Sequence, residues 1–407
     1  MGKNNFIPKG FLFAGIRAEV KKKPGRDLGL ILSENLASAS GVFTQNRFLS
    51  SAVIISKQRL KAGKAKAILV NSGNANCGLG KAGIILAKKT SQALSQKLAI
   101  PESSILLAST GVIGEPFPAD KILKAIPELV SNLSPAHYPD FADAIMTTDK
   151  TQKISAQSLK IQNKKVSILG IAKGAGMIHP QMATMLGFVL TDAEISPKLL
   201  KSLLKETVEE SFNRITIDGD TSTNDTVFLL ANGKSQVKIT AQSPALKSFK
   251  KALFQVCFEL SKMIVADGEG VTRCFYVQVK GAKTKSDAEK IARRIANSPL
   301  VKTAIYASDP NWGRIIAGAG NAGVRFDPNQ ASVFLISADG KSKLEIFKAG
   351  ARSKSYQGLK AEKIASEIMK KSGFKILFEI KKGKAEFEML SADFSEDYVR
   401  INADYRS

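Results

Sequence analysis

Histidine is nearly absent from this chain: His137 and His179 are the only two in 407 residues. A metal site built from several imidazoles is excluded by that count, and no metal is expected. Cysteine is almost as scarce. Cys77, Cys257 and Cys274 are widely spaced, odd in number and form no Cys-x-x-Cys pair. Such a set argues against a disulfide framework and fits a reducing compartment. No uninterrupted apolar run reaches the roughly 18–20 residues that span a bilayer. Internal repeats and long low-complexity linkers are missing as well. The N-terminal MGKNNFIPKGFLFAG starts basic, but Pro8 and Lys9 interrupt its apolar part. No small-residue cleavage site follows cleanly, so it makes a weak signal peptide. Phe6 stands where a myristoylation signal wants Ser or Thr. The cytoplasm is the expected compartment, with no membrane partner.

Acidic residues are the last shortage: 36 Asp and Glu face 60 Lys and Arg, a net charge of +24. That balance alone could mark a nucleic-acid binder. The lysines are scattered, however, and the densest uninterrupted run is only Lys21–Lys23. There is no basic stripe interleaved with aromatics, no zinc-finger spacing and no RNA-recognition signature. A basic nucleic-acid-binding protein is therefore the remote alternative, and solvated lysine-rich faces are the plainer cause.

The 44% hydrophobic and 24% charged fractions are those of an ordinary globular protein. At one domain per roughly 100–200 residues, the length suggests two or three units. Helical periodicity predicts helices over Gly80–Leu98, Pro197–Phe212, Pro244–Ile264, Lys285–Ala296 and Leu359–Lys371. β-branched and aromatic runs predict strands at Ala52–Ile55, Ala67–Val70, Val166–Ala172, Thr226–Ala231, Cys274–Val279 and Ser332–Ile336. Phe374–Ile380 and Ala385–Leu390, joined by Lys381–Lys384, read as a hairpin. The alternation predicts an α/β or α+β protein and leaves strand order open.

One stretch stands out, Lys173 to Leu186, KGAGMIHPQMATML. A Thr hydroxyl is a poor nucleophile at neutral pH, and one remedy is to make that Thr the first residue of a chain, so that its own α-amine serves as base. A free α-amine titrates at about 7.7–8.0, close to where a general base is most useful. On the residues alone, Ala183–Thr184 is more simply a pair in a buried strand or helix, with Gly174 and Gly176 as turn glycines. His179 is a tempting base five residues away, but a lone His is more often a surface or satisfied residue. Other motifs fail on physical grounds. Gly318, Gly320 and Gly323 spell G-x-G-x-x-G, yet the following VRFDPNQAS has no helical period. Gly340-Lys341-Ser342 lacks the first glycine of a phosphate loop, since Leu335 stands there. DGDTSTND at Asp218–Asp225 has Thr223 and Leu229 where a calcium loop needs Gly and Glu. Its residues more simply cap turns and helix ends.

Many separate blocks, in order, resemble the ornithine acetyltransferase family, the glutamate N-acetyltransferases of arginine biosynthesis. They are GFLFAGIRAEV (Gly10–Val20), Gly41–Arg47, NSGNANCG (Asn71–Gly78), STGVIG (Ser109–Gly114), MTTD (Met146–Asp149), KGAGM…MATML, DGDTSTND, DGEG (Asp267–Gly270) and SDPNWGR (Ser308–Arg314). The resemblance spans the chain and implies a layered, self-processing α/β fold, sheets packed between helical layers, with N-terminal-nucleophile chemistry. It implies cleavage between Ala183 and Thr184 into an α chain, residues 1–183, and a β chain, residues 184–407, assembling as an α2β2 heterotetramer. Residue by residue, it implies that Thr184 is the nucleophile and that Thr110 and Gly111 form the oxyanion hole. It also implies that Thr147, Lys173, Thr184, Glu269, Asn402 and Ser407 contact substrate, with Thr148 the alternative to Thr147. Only Asn402 and Ser407 align within the divergent C-terminal INADYRS, and Cys77 and His179 have no assigned role. The implied activity moves acetyl from N2-acetylornithine to glutamate without a cofactor. Some members also take acetyl-CoA as a donor, and these motifs do not separate the two kinds. A self-processing amidohydrolase or aminopeptidase, with water as acceptor, is the runner-up.

Overall fold

The computed structural model describes residues 6–179 and 185–403, in two units. The first comprises Met1–Asn213 and Asp220–Ile264, the second Arg214–Gly219 and Val265–Ser407. Elements of the first are, in chain order, β1 (Phe11–Ile16), β2 (Leu28–Phe43), α1 (Ser51–Arg59), β3 (Lys64–Asn74), α2 (Gly80–Leu98), β4 (Ile105–Val112), α3 (Ala119–Ser131) and α4 (Tyr138–Ile145). There follow β5 (Lys153–Ile161), β6 (Lys164–Lys173), β7 (Leu186–Thr191), β8 (Glu194–Ile195), α5 (Pro197–Glu210), β9 (Thr226–Ala231), β10 (Lys238–Ile239) and α6 (Leu246–Ala266). One sheet runs β4-β3-β2-β9-β7-β6-β5, with β1 paired to β2.

Both faces of this sheet are covered, which is why its strands read as near-continuous apolar runs. Alternate residues point to opposite faces. Ile68 and Val70 of β3, with Leu106 and Ala108 of β4, join Phe141 and Ile145 of α4. Their neighbours Ala67, Leu69, Ile105 and Leu107 join Ala52 and Ile55 of α1, Leu94 of α2 and Ile126 of α3. Further along the sheet, Gly170 of β6 leaves room for Val256 and Leu260 of α6. The class is mixed α/β, a sheet between helical layers.

The expected strand at Ala52–Ile55 is instead part of helix α1. Three consecutive β-branched residues, Val53 to Ile55, suggested extended chain, but Ser50 precedes them as a helix cap. Its Oγ accepts the Val53 N–H at 3.3 Å. Ser56, on the buried side of the helix, then bonds both the C=O and the N–H of Leu107, each at 2.8 Å. The cap and this anchorage to β4 override the local β propensity.

In the second unit the elements are β11 (Cys274–Ala282), α7 (Lys285–Ala296), α8 (Pro299–Tyr306), α9 (Trp312–Gly320), β12 (Ser332–Ile336), β13 (Lys343–Lys348), β14 (Ala351–Arg352), α10 (Gly358–Lys370), β15 (Phe374–Glu379), β16 (Ala385–Ala392) and α11 (Glu396–Ala403). Its sheet runs β14-β13-β12-β15-β11-β16. Ala288, Ile291 and Ile295 of α7 and Ala365 and Ile368 of α10 fill the core against Phe275, Val277, Ile376 and Phe378. Gly318 and Gly320 lie in α9 and Gly323 follows it, so the helix comes before the glycine motif rather than after it.

β15 and β16 are not a hairpin. β11 lies between them, parallel to β15 and antiparallel to β16. The short connection crosses the end of β11, with Ile380 N–H donating to Lys280 C=O and the Lys382 and Gly383 N–H groups to Gly281 C=O. Gly281 makes the crossing feasible: its φ is +79°, and a Cβ there would lie 1.7 Å from Ile380 O. Gly281→Ala should therefore destabilise this unit by at least about 1–3 kcal/mol, read as a lower urea midpoint. An unchanged midpoint would show that the crossing tolerates a side chain.

Candidate functional site

The first unit brings four of the expected site residues together. Thr110 and Gly111 lie at the end of β4, which pairs in parallel with β3 until the register breaks at Asn74, opposite both Thr110 and Val112. At this irregularity Gly111 has φ +130°, and a Cβ would come within 2.3 Å of Gly73 C and 2.5 Å of Asn74 N. Only glycine fits. Lys173 ends β6 and is buried, with 7% exposure. Its Nζ donates to Thr147 Oγ1 at 2.7 Å and Thr110 Oγ1 at 3.2 Å. It is thus the Thr147 hydroxyl, between the two candidate threonines, that meets Lys173.

Asp149, the last residue of the MTTD block, ties this group down, a role its place in the motif did not disclose. Its Oδ1 accepts from Lys153 Nζ and from Gly174 N–H, both at 2.7 Å. Its Oδ2 accepts from Thr147 N–H at 3.0 Å and lies 3.7 Å from Lys173 Nζ. Burial by itself would raise the Asp149 pKa. The Lys173 and Lys153 charges, with these hydrogen bonds, outweigh it and hold the carboxyl well below the usual range. Asp149 is therefore ionised, inside the fold, between two ammonium groups.

DGDTSTND turns out to be a tie between strands. Asn224 Nδ2 donates to Ala75 C=O and Ser109 C=O, each at 2.7 Å, fixing the residue before Thr110. Thr44 Oγ1 donates to Ser222 C=O at 2.7 Å and Asn46 Nδ2 to Thr221 C=O at 3.0 Å. Asp225 follows, 2% exposed, and neither carboxyl oxygen has a partner at hydrogen-bonding geometry. Burial pushes its pKa well above the ordinary carboxylate value, more strongly than the nearby Met185 N–H, the Lys173 charge and the Ser222 and Thr44 hydroxyls lower it. Burial thus favours the protonated form of Asp225.

Ala183, Thr184 and Ser407 lie outside the described residues. The strand that follows Thr184 is described. Leu186, first residue of β7, is the cross-strand partner of Lys173 on β6 and of Thr226 on β9, and Thr226 N–H donates to Met185 C=O at 3.0 Å. Two residues after Thr184, the chain is therefore level with Lys173. His179 is held through its C=O by Thr221 Oγ1. Cys77 is buried, and burial pushes the Cys257 thiol up to about 12. That value removes Cys257 as a nucleophile.

The second unit brings Glu269 and Asn402 together. Glu269 is 5% exposed, and its Oε2 accepts from Asn402 Nδ2 at 3.0 Å. The next residue, Gly270, has φ +67°, and a Cβ there would lie 2.3 Å from Tyr398 N. Ser395 Oγ donates to Gly270 C=O at 2.5 Å, so the start of α11 and the Glu269 loop are fastened to each other. Lys302, which nothing in the sequence singled out, supports the same segment. It is wholly buried, bonds Ser391 Oγ and Ala392 C=O and sits 4.6 Å from the Phe394 ring centre. Burial brings its pKa down to about 7.

A family model described as the ArgJ family matches residues 12–407. The arginine biosynthesis bifunctional protein ArgJ of Desulfotalea psychrophila is 44% identical over 400 residues, covering 98% of this chain and 99% of its own. That of Thermotoga neapolitana is 43% identical over 406 residues, 99% of this chain and 100% of its own. A crystal structure of the protein of the same name from Bacillus halodurans is 37% identical, covers 54% of this chain and 99% of its own, and superposes with a TM-score of 0.49.

The state of Asp225 gives a signed expectation. A carboxyl protonated when folded and ionised when unfolded stabilises the fold fully only below the unfolded pKa, and loses that stability as pH rises toward the folded pKa. Wild-type stability should fall relative to Asp225→Asn between pH 4 and pH 7, by up to about 1.4 kcal/mol per pH unit. Urea unfolding of both proteins at the two pH values checks it. A difference that stays constant would mean that Asp225 is ionised in the fold.

Proposed function

The chain belongs to the ArgJ family, and from that premise we propose that it is a self-cleaving acetyltransferase of arginine biosynthesis, moving acetyl from N2-acetylornithine to glutamate. The observation that carries the reading is the pairing of Lys173 with Leu186. This register sets the strand that begins just after Thr184 beside the one carrying Lys173, whose ammonium meets Thr110 and Thr147.

In the precursor, Thr184 attacks the Ala183 carbonyl and water completes the cut. The freed α-amine then accepts the Thr184 hydroxyl proton as the hydroxyl takes acetyl from acetylornithine, and ornithine leaves. Glutamate enters, its amine attacks the acetyl ester, and N-acetylglutamate departs. Each tetrahedral step places negative charge on the former carbonyl oxygen, where the Thr110 hydroxyl and Gly111 N–H are the donors. One such donor is worth about 2.7–4 kcal/mol. Thr147, Lys173, Glu269, Asn402 and Ser407 contact the amino-acid substrates, with Lys173 and Glu269 supplying opposite charges for zwitterions. No step calls for a cofactor or metal. Acetyl-CoA serves as a second donor, a reading supported by the word bifunctional in the relatives' names.

The cut leaves residues 1–183 and 184–407 as an α and a β chain that stay together. β7, from the second, is hydrogen-bonded to β6 from the first and to β9, so separation requires opening the sheet. Two such pairs form the α2β2 tetramer. Among the described residues no helix is long and apolar enough to cross a membrane, and the enzyme works in the cytoplasm.

The purified protein should run as two bands under denaturing conditions and co-elute under native ones, the second band beginning TMLGFVL. Thr184→Ala should stay uncut, because the attacking hydroxyl is gone. Given acetylornithine and glutamate, the cleaved protein should make N-acetylglutamate. Free acetate without N-acetylglutamate would assign a hydrolase instead, and an intact, active 407-residue chain would sink the amine mechanism.

A further inference from the structure

Lys173 carries more than a substrate contact. An ammonium has donors and no acceptor, while a threonine hydroxyl has one donor and two acceptor lone pairs. The 3.2 Å contact between Lys173 Nζ and Thr110 Oγ1 can therefore run in one direction only, with Lys173 donating. The Thr110 proton is left for another acceptor. A hydroxyl that accepts from a cation is also the stronger donor through its own proton. A free rotor could equally turn a lone pair toward the reacting oxygen, and the Lys173 bond opposes that orientation.

Lys173 is itself held. Asp149 lies 3.7 Å from its Nζ and is anchored by Lys153, Gly174 N–H and Thr147 N–H. Ion-pairing at that distance fixes the ammonium as it donates to Thr147 and Thr110. The three buried groups Asp149, Lys153 and Lys173 sum to one positive charge, the sign that complements an oxyanion.

We propose that Lys173 is a positioning residue for the oxyanion hole, acting through the Thr110 hydroxyl and oriented by Asp149, so that it lowers the acyl-transfer barrier whatever the charge of the substrate. The proposal rests on the reading of Thr184 as nucleophile, and the two can fail separately. A neutral ester without amine or carboxylate, p-nitrophenyl acetate, distinguishes them. Thr184 Oγ1 forms a bond to the acetyl carbon, the bond from that carbon to the aryl oxygen breaks, p-nitrophenolate leaves with the electron pair, and the hydroxyl proton passes to the Thr184 α-amine.

Cleaved wild-type protein should become acetylated on Thr184 with release of nitrophenolate. Cleaved Lys173→Met should be slowed roughly 10- to 100-fold in the acylation rate, with the half-saturating ester concentration changed much less. Lys173→Arg should recover part of the loss. In a Thr110→Val background, Lys173→Met should cost little more, because its route is already gone. Asp149→Asn should slow acylation in the same direction, and it is the deciding arm if Lys173→Met does not mature. Wild-type rates on the ester in Lys173→Met, or in Asp149→Asn where that arm decides, would overturn the proposal. So would additive effects of Lys173→Met and Thr110→Val. A wild-type protein that leaves Thr184 unacetylated would instead overturn the reading of the nucleophile, and this inference with it.

Discussion

The double pairing of β7 is the constraint on which the first unit depends. A strand hydrogen-bonded on both edges cannot slide, since a one-residue slip would turn every side chain to the other face. Phe188 and Leu190 would leave the cluster they share with Phe141 and Phe228, where the Phe141 and Phe188 rings meet edge to face at 5.1 Å. Packing thus fixes the register, and the register sets Leu186 opposite Lys173. Chemistry that needs placement to fractions of an ångström inherits it from a hydrophobic core.

Elements with their own periodicity were legible in the sequence. Helices over Gly80–Leu98 and Lys285–Ala296 and the strand Ser332–Ile336 occur with those bounds, because each carries its pattern within itself. The α1 segment misled because three β-branched residues outweighed one capping serine. The supposed hairpin misled for a different reason. Loop length shows which strands could pair, but β11 comes about a hundred residues earlier in the chain, and only the finished sheet shows it between β15 and β16. For the site, the resemblance named Thr110, Gly111, Thr147 and Lys173, which the fold brings together, and Glu269 and Asn402, which are likewise in contact. Asp149, Asn224 and Asp225 sat inside the quoted motifs without roles. What they do depends on what surrounds them, and no spacing rule encodes that.

Asp149 and Asp225 make the point physically. They are the same side chain at nearly the same burial, 8% and 2% exposed, and their titration moves in opposite directions. Asp149 receives hydrogen bonds from two backbone N–H groups and an ammonium, with a second ammonium at ion-pair distance. Around Asp225 the Met185 N–H and the Ser222 and Thr44 hydroxyls are near but do not reach hydrogen-bonding geometry. Desolvation acts on both, and the partners decide. An ionised Asp149 can anchor Lys173, whereas a protonated one would leave its neighbouring ammonium groups unbalanced.

The same reasoning relocates the meaning of this chain's charge. The surplus of +24 resides mostly on lysines in water, where each interacts over a Debye length of about 8–10 Å and is screened beyond it. Such charge influences solubility and encounter, and specifies no reaction. Lys153, Lys173 and Lys302 belong to a different class, because they are buried and their fields reach neighbours through little solvent. Lys302 responds by lowering its pKa to about 7, with Asp218 and Asp393 too weak a counterweight to its burial. Lys153 and Lys173 share the ionised Asp149, and Lys173 donates to the hydroxyls of Thr110 and Thr147. Lys153 begins β5 and Lys173 ends β6, so the sheet decides where these two buried charges lie.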